Sequence, residues 1–190
     1  MGAQVLRGTS PAAAAIIKSI EAEAGTKVTQ CYQCGKCTAG CPAAFAMDYP
    51  PRQIIRLLQF GLTDEALHAK SVWICASCET CSARCPREVD IASLMDAVRR
   101  RALKEGIITD KKVAAFNKGF LKSVKHFGRN YEVGLTLQYN ISTKQFMKDM
   151  NHGLPMMARG KAGMFPHQIQ NKAEVKAIFE RIEQMGSDSE

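Results

Sequence analysis

Eight cysteines fall in two short runs of this 190-residue chain, and none lies outside them. The first run holds Cys31, Cys34, Cys37 and Cys41, with Pro42 directly after the last; the second holds Cys75, Cys78, Cys81 and Cys85, then Pro86. Each reads C-x2-C-x2-C-x3-C-P, and the second repeats the first 44 positions further on. This spacing suits two [4Fe–4S] clusters. Three thiolates two residues apart let a tight loop wrap three corners of a cube. The fourth, beside proline, leaves in another direction and caps the cube held by the other run. The expected ligand sets are therefore crossed. Cys31, Cys34, Cys37 and Cys85 hold the first cluster, and Cys75, Cys78, Cys81 and Cys41 hold the second. Ligands shared between runs tie the halves together, so folding should depend on cluster insertion.

Two other uses of cysteine fit less well. Structural zinc takes two separated pairs and four ligands per site, whereas here a triplet plus a Cys-Pro occurs twice. A disulfide framework suits short secreted chains, and no export signal stands at the N-terminus: the apolar run 12–17 is broken at once by Lys18. With eight ligands assigned, no thiol remains for nucleophilic catalysis, a redox dithiol or a third cysteine-bound cluster. Cubanes with all four irons ligated leave no open site for a substrate. No catalytic residue is expected; the predicted chemistry is outer-sphere electron transfer.

Among the neighbours of the ligands, Trp73 and Ile74 precede Cys75 and are expected to wall the cluster from water. Tyr32, Gln33, Lys36 and Arg84 lie between ligands, placed either to aim polar groups at sulfur or to face solvent. His68, His126, His152 and His167 are scattered without metal spacing.

Composition bounds the rest. The apolar fraction is 46% and the charged fraction 23%, ordinary for a globular protein, while aromatics are scarce at 7%. No stretch approaches the roughly 20 apolar residues of a membrane span, and the cytoplasm is the expected compartment. The formal charge of +8 raises nucleic acid as a partner, with Arg99, Arg100, Arg101, Lys104, Lys111 and Lys112 as the densest basic stretch. Those charges also fit a solvated helix face or a dock for an acidic partner. Two oxidised clusters add on the order of four negative charges, and no aromatic stacking platform accompanies the arginines. No nucleic-acid partner is expected.

The ligands need a frame, and its signals are helical. Ser10-Pro11 opens and Gly25 closes a helix with Ala13, Ile16, Ile17 and Ile20 on one face. Pro50-Pro51 opens a second over 52–60, striped by Ile54, Ile55, Leu57 and Leu58 and stopped by Gly61. A short helix follows over 63–70, with Thr63 as its cap and Asp64 and Glu65 suiting the N-terminal dipole. Asp90 caps a helix over 91–105, carrying Ile91, Leu94, Met95, Val98 and Ala102, and Gly106 ends it. Thr109 or Asp110 opens another, with Val113, Phe116, Phe120 and Val124 on one face.

Strand signals are nearly absent, and the 33 residues between Cys41 and Cys75 hold one or two helices. From Gly128 to Lys172, glycines, prolines and Met147, Met150, Met156, Met157 and Met164 recur without period, as in an irregular segment shaped by a partner or in core filling. A last helix starts near Asn171, with Val175, Ile178, Phe179 and Ile182 as its stripe, and 187–190 form a polar tail. The expected fold is all-α: a two-cluster α-helical ferredoxin domain over 26–108, a helical extension over 1–25, and a C-terminal region over 109–190 with a helix, an irregular partner-binding segment and a final helix.

From about residue 25 to residue 110, the chain resembles the C-type iron–sulfur subunits of heterodisulfide reductase. The stretches that carry this are CYQCGKCTAGCP, PPRQIIRLLQFG and VWICASCETCSARCPREVDI. The resemblance implies a subunit that relays electrons through two [4Fe–4S] clusters. It passes them from a flavin-containing A-type subunit, where bifurcation occurs, to a B-type catalytic subunit with cysteine-rich CCG sequences that reduces a disulfide. This chain has no cysteine after Cys85, so it carries no CCG module of its own, and the implied active site lies on another chain. A fumarate reductase-like iron–sulfur subunit would need a [2Fe–2S] domain upstream, where only 30 cysteine-free residues stand. A glycerol-3-phosphate dehydrogenase-like subunit would continue into CCG repeats.

Overall fold

The computed structural model describes residues 10–145, 155–156, 159–160, 166 and 169–187, and every described element is helical. The chain divides between Asp110 and Lys111 into two compact units. The fold is all-α.

In the first unit, α1 spans Pro11–Ala24, a four-residue α2 Lys36–Ala39, α3 Pro51–Gln59, α4 Thr63–His68, α5 Ser71–Ile74, α6 Thr80–Ala83 and α7 Ile91–Lys104. A 3-10 turn, Val28–Gln30, leads into the first cysteine. The caps explain where α1 and α7 begin and end. Ser10 Oγ accepts from Ala13 N at 3.2 Å, and Gly25 closes α1 at φ 65, a conformation that costs glycine nothing. Asp90 Oδ1 accepts from Ser93 N at 3.1 Å at the head of α7, worth about 1 kcal/mol at such positions.

Helix α7 is the spine of this unit. Leu94, Met95, Ala97, Val98 and Ala102 are fully buried on it, and α1, α3, α4, α5 and α6 all pack against it. Each large apolar side chain so buried contributes roughly 1.5–3 kcal/mol. On α3, Ile54, Ile55 and Leu58 are buried as the stripe predicts, and Leu57 only half so.

Some expectations need correction. Thr63 does not cap α4; it is the first helical residue and buried, with Leu62 at the cap. The stretch between Cys41 and Cys75 holds three α-helices rather than one or two, because α5 forms a further turn just before Cys75.

In the second unit, α8 spans Lys111–Phe127, α9 Glu132–Ser142 and α10 Lys172–Ser187. Helix α9 occupies part of the segment expected to be irregular. It meets α8 where a Cβ on Gly119 would stand 3.1 Å from Leu135, and Ser123 Oγ accepts from Tyr131 N at 2.9 Å. Gly119 and Ser123 are therefore the buried positions of α8, while Phe116 and Phe120 remain largely exposed. Lys125 pairs with Glu183 of α10 at 2.6 Å. The last helix runs on to Ser187, into the predicted tail. Met156 is exposed; Met147, Met150, Met157 and Met164 lie outside the described residues.

Candidate metal centre

The two cysteine runs fold alike. In the first, Gln33 and Gly35 take left-handed φ values of 67 and 85; in the second, the residues 44 positions on, Ser77 and Glu79, take 49 and 59. A left-handed residue thus precedes and follows the middle cysteine of each triplet, turning the backbone so that three thiols share one side of a tight loop. A short helix then carries the third cysteine, Cys37 on α2 and Cys81 on α6. Three of the four left-handed residues are not glycine. Such conformations cost on the order of 1–3 kcal/mol and persist where a site fixes them.

The thiols are buried to different depths, and in matched order. Cys37 and Cys81 are buried, Cys31, Cys41, Cys75 and Cys85 half-buried, and Cys34 and Cys78 exposed. Burial pushes the Cys81 thiol up to about 11 and raises Cys31 and Cys37 as well. At Cys34, the Lys36 backbone N–H, helped by the Tyr32 hydroxyl and the Lys36 charge, draws the thiol down. At Cys78 the Thr80 hydroxyl does the same.

The runs also meet. One narrow cavity is lined by Cys41 together with Cys75, Cys78 and Cys81. Its walls are apolar: Pro42, Met47, Pro51, Ala92 and Met95. Cys31, in turn, lies close enough to Cys34 and Cys85 for their thiolate charges to disfavour its own, and Cys37 is near Cys31. Each neighbourhood therefore contains a triplet and the terminal cysteine of the other run. Among the described residues, no three His, Cys, Asp or Glu side chains converge as around a single ion. A cubane asks for something else, four thiolates spread over separate corners. The soft sulfur donors, their grouping in fours and the dry wall fit such a cluster.

Long side chains brace the loops from outside. Gln59 Nε2, at the end of α3, donates to Cys31 O at 2.7 Å and to Val28 O at 2.8 Å. Its Oε1 accepts from Gln33 Nε2 at 3.2 Å, and Gln33 Nε2 also lies 3.5 Å from Cys31 Sγ. In the second run, Arg99 Nη1 donates to Cys75 O at 3.2 Å, the counterpart of the Gln59 bond.

Asp48 joins the runs at another point. Its carboxylate accepts from Lys70 N at 2.8 Å, Ser71 N at 2.9 Å and the Ser71 hydroxyl, fixing the head of α5. Burial raises the Asp48 carboxyl, yet these bonds, with the Tyr49 N–H, outweigh it and hold it below the usual range. Asp90 likewise accepts from Ser82 Oγ at 2.7 Å, tying α6 to α7.

The other neighbours named from the sequence divide. Gln33 and Tyr32 do reach sulfur. Arg84 instead lies against Gly40. Trp73 is buried but does not line the Cys41–Cys75 cavity, and its indole N–H has no hydrogen-bond partner among the described residues. The walls Met47, Pro51, Ala92 and Met95 were missed by sequence reasoning, as were Gln59 and Asp48. Only fold contacts distinguish them from other core or surface residues. His68 bonds Asp64 O at 2.9 Å on its own helix, while His152 and His167 lie outside the described residues.

The basic stretch also reads differently in three dimensions. Arg99 pairs with Asp96, Arg100 with Glu23 and Asp96, and Arg101 with Glu105. The arginine triplet is largely committed to braces within its own unit. No described helix is long and apolar enough to cross a membrane.

Comparison with known proteins agrees with this geometry. Residues 27–89 match the family model of a 4Fe-4S dicluster domain. The C-type iron-sulfur subunit of the CoB–CoM heterodisulfide reductase of Methanopyrus kandleri is 44% identical over 86 residues, 45% of each chain. The C-type subunit of the H2:CoB-CoM heterodisulfide,ferredoxin reductase of Methanothermobacter thermautotrophicus is 38% identical over 91 residues, 48% of this chain and 49% of that one. Its counterpart in the ferredoxin:CoB-CoM heterodisulfide reductase of Methanosarcina acetivorans is 32% identical over 170 residues, 86% of this chain and 65% of the relative. The chain thus spans about half the length of the first two and 65% of the third. Residues 27–89 are thus similar to a 4Fe-4S dicluster domain, and the chain carrying them is a sequence relative of the C-type iron–sulfur subunits of heterodisulfide reductases.

Proposed function

We propose that this chain is the electron-relaying subunit of a heterodisulfide reductase-type complex, holding two [4Fe–4S] clusters with crossed ligands. Cys31, Cys34, Cys37 and Cys85 hold one; Cys75, Cys78, Cys81 and Cys41 hold the other. The observation that carries this reading is the cavity that gathers Cys41 with the Cys75, Cys78 and Cys81 triplet. A bound cubane supplies one-electron, outer-sphere transfer with little rearrangement of its ligands.

The chain's own contribution is positioning and insulation. The left-handed turns aim the thiols, the apolar wall around Met47 and Met95 excludes water from one set, and Asp48 and Asp90 lock the loops to the helices. Each set keeps one exposed ligand, Cys34 or Cys78, which gives a relay one outlet per cluster. By the resemblance, its neighbours in the complex are a flavin-containing, bifurcating A-type subunit and a CCG-bearing B-type subunit that reduces the disulfide.

Anaerobic iron and sulfide analysis tests the cofactor content. About eight of each per chain is expected; about four, or zinc in their place, refutes it. Co-purification tests the assembly. Recovery of a flavoprotein and a CCG protein supports the complex, and salt-sensitive retention of DNA without them refutes it.

A further inference from the structure

The two outlets of this relay differ in charge, although the loops that form them are copies. Around Cys78 stand Ser77, Glu79 and Thr80. The nearby guanidinium of Arg99 is neutralised by Asp96 while bonding Cys75 O and Ser77 Oγ. The arginine bonded to that loop is thus already paired.

The Cys31–Cys34 end differs. Beside it runs an open groove of about 630 Å³, lined by Cys31, Gln33, Arg52, Gln53, Arg56 and Gln59. Arg52 and Arg56 stand one turn apart on α3, so both project over one face. Neither has a carboxylate within ion-pair reach among the described residues. Arg56 is held in place all the same: its guanidinium sits 4.0 Å over the Phe60 ring and donates to Gln59 Oε1 at 3.2 Å. Tyr32, between Cys31 and Cys34, and Lys36, between Cys34 and Cys37, are exposed. Where Arg99, Arg100 and Arg101 are committed to internal pairs, Arg52 and Arg56 have no carboxylate partner among the described residues and share their groove with the half-buried Cys31, three residues from the exposed Cys34. Arginine's planar fork is suited to carboxylates.

We propose that the Arg52–Arg56 groove is the dock for an acidic protein that exchanges electrons at the Cys31–Cys34 end, so that the two ends of the relay are addressed by charge to different partners. The proposal rests on the two-cluster reading above. A carboxylate-bearing loop seated between Arg52 and Arg56 brings its protein over Cys34, where one electron crosses between that protein's redox group and the adjacent cluster. Charge steers the encounter and fixes its orientation.

The test uses the full holoprotein, reduced with dithionite, and two oxidants in stopped flow: an acidic flavodoxin and a basic cytochrome c. The double variant Arg52→Gln/Arg56→Gln is compared with wild type and with Lys18→Gln/Lys104→Gln, an equal change of net charge at exposed lysines elsewhere. At low ionic strength the groove variant should lose about tenfold in rate with flavodoxin and lose nothing with cytochrome c; the gap should close as salt screens it. A shift in cluster potential or a folding defect would move both oxidants the same way, so the ratio of the two rates isolates docking. An unchanged ratio in a variant with a full iron complement overturns the dock alone, as does an equal change in the lysine control. An iron content well below eight in the wild type overturns the relay itself.

Discussion

Arg84 lies across Gly40, the residue 44 positions before it and its own counterpart in the repeat. A Cβ on Gly40 would stand 2.5 Å from Arg84 Nη1 and 2.8 Å from Arg84 Cδ. Equivalent positions of a repeated motif touch where a local twofold relation passes between them, and here the short helices α2 and α6 meet. The residue before each terminal cysteine is thus small on one side so that it can be long on the other. This contact helps set where Cys41 and Cys85 stand relative to each other.

Gly40→Ala should displace the exposed Arg84 side chain, whose flexible end can move aside, and change holoprotein stability by less than about 1 kcal/mol. Arg84→Ala should have a smaller effect, and the double variant should recover part of the Gly40→Ala change. Anaerobic denaturant titration of the four proteins closes the cycle. Additive effects would show that the two residues do not share the contact.

Crossed ligation makes a pairing prediction. Cys41→Ser should alter the same cluster signal as Cys78→Ser, and Cys85→Ser the same as Cys34→Ser, in electron paramagnetic resonance of the reduced protein. If Cys41→Ser instead tracks Cys34→Ser, each run closes its own cube and the crossed arrangement is wrong.

Asp48 carries a pH dependence whose sign follows from its bonds. Its folded carboxyl is held below the usual range, so the unfolded chain binds the proton more readily. The stabilisation is complete above the ordinary aspartate value of about 4 and is lost as pH falls through the lower folded value. Asp48→Asn should destabilise the protein at neutral pH by about 1 kcal/mol, below the range for buried bonds to a charged acceptor because Asp48 is exposed and screened by solvent. The deficit should shrink in acid. Thermal melts between neutral pH and pH 3 check this, and a deficit independent of pH would assign the effect to packing.

Much of this was readable from the chain, for identifiable reasons. Cysteine spacing is a local property, so the two runs and their 44-residue repeat could be read from positions alone. Ser10, Gly25 and Asp90 are capping types at helix ends, so α1 and α7 could be bounded closely. Helix α9 escaped because Gly134, Thr136 and Asn140 are weak helix formers and its face is set by packing on α8, at Gly119 and Phe116. The tie from Arg100 to α1 was hidden because Glu23 lies far away in sequence. Asp48 and Gln59 were invisible for the same reason: what each holds lies 22–23 or 26–31 residues away.

Gln33 gives the last prediction. Its side-chain N–H lies 3.5 Å from Cys31 Sγ, steered there by Gln59 Oε1. Its counterpart Ser77 has its hydroxyl engaged by Arg99 instead. Hydrogen bonds to sulfur favour the more negative, reduced state of a cluster and raise its potential. Gln33→Leu should therefore make one of the two reduction potentials more negative and leave the other in place. Gln59→Leu should act in the same direction, by releasing Gln33 and leaving Cys31 O without its donor. Film voltammetry of the holoproteins reads both waves at once. A shift shared equally by the two waves would mean that Gln33 acts on the whole fold rather than on the thiolate beside it.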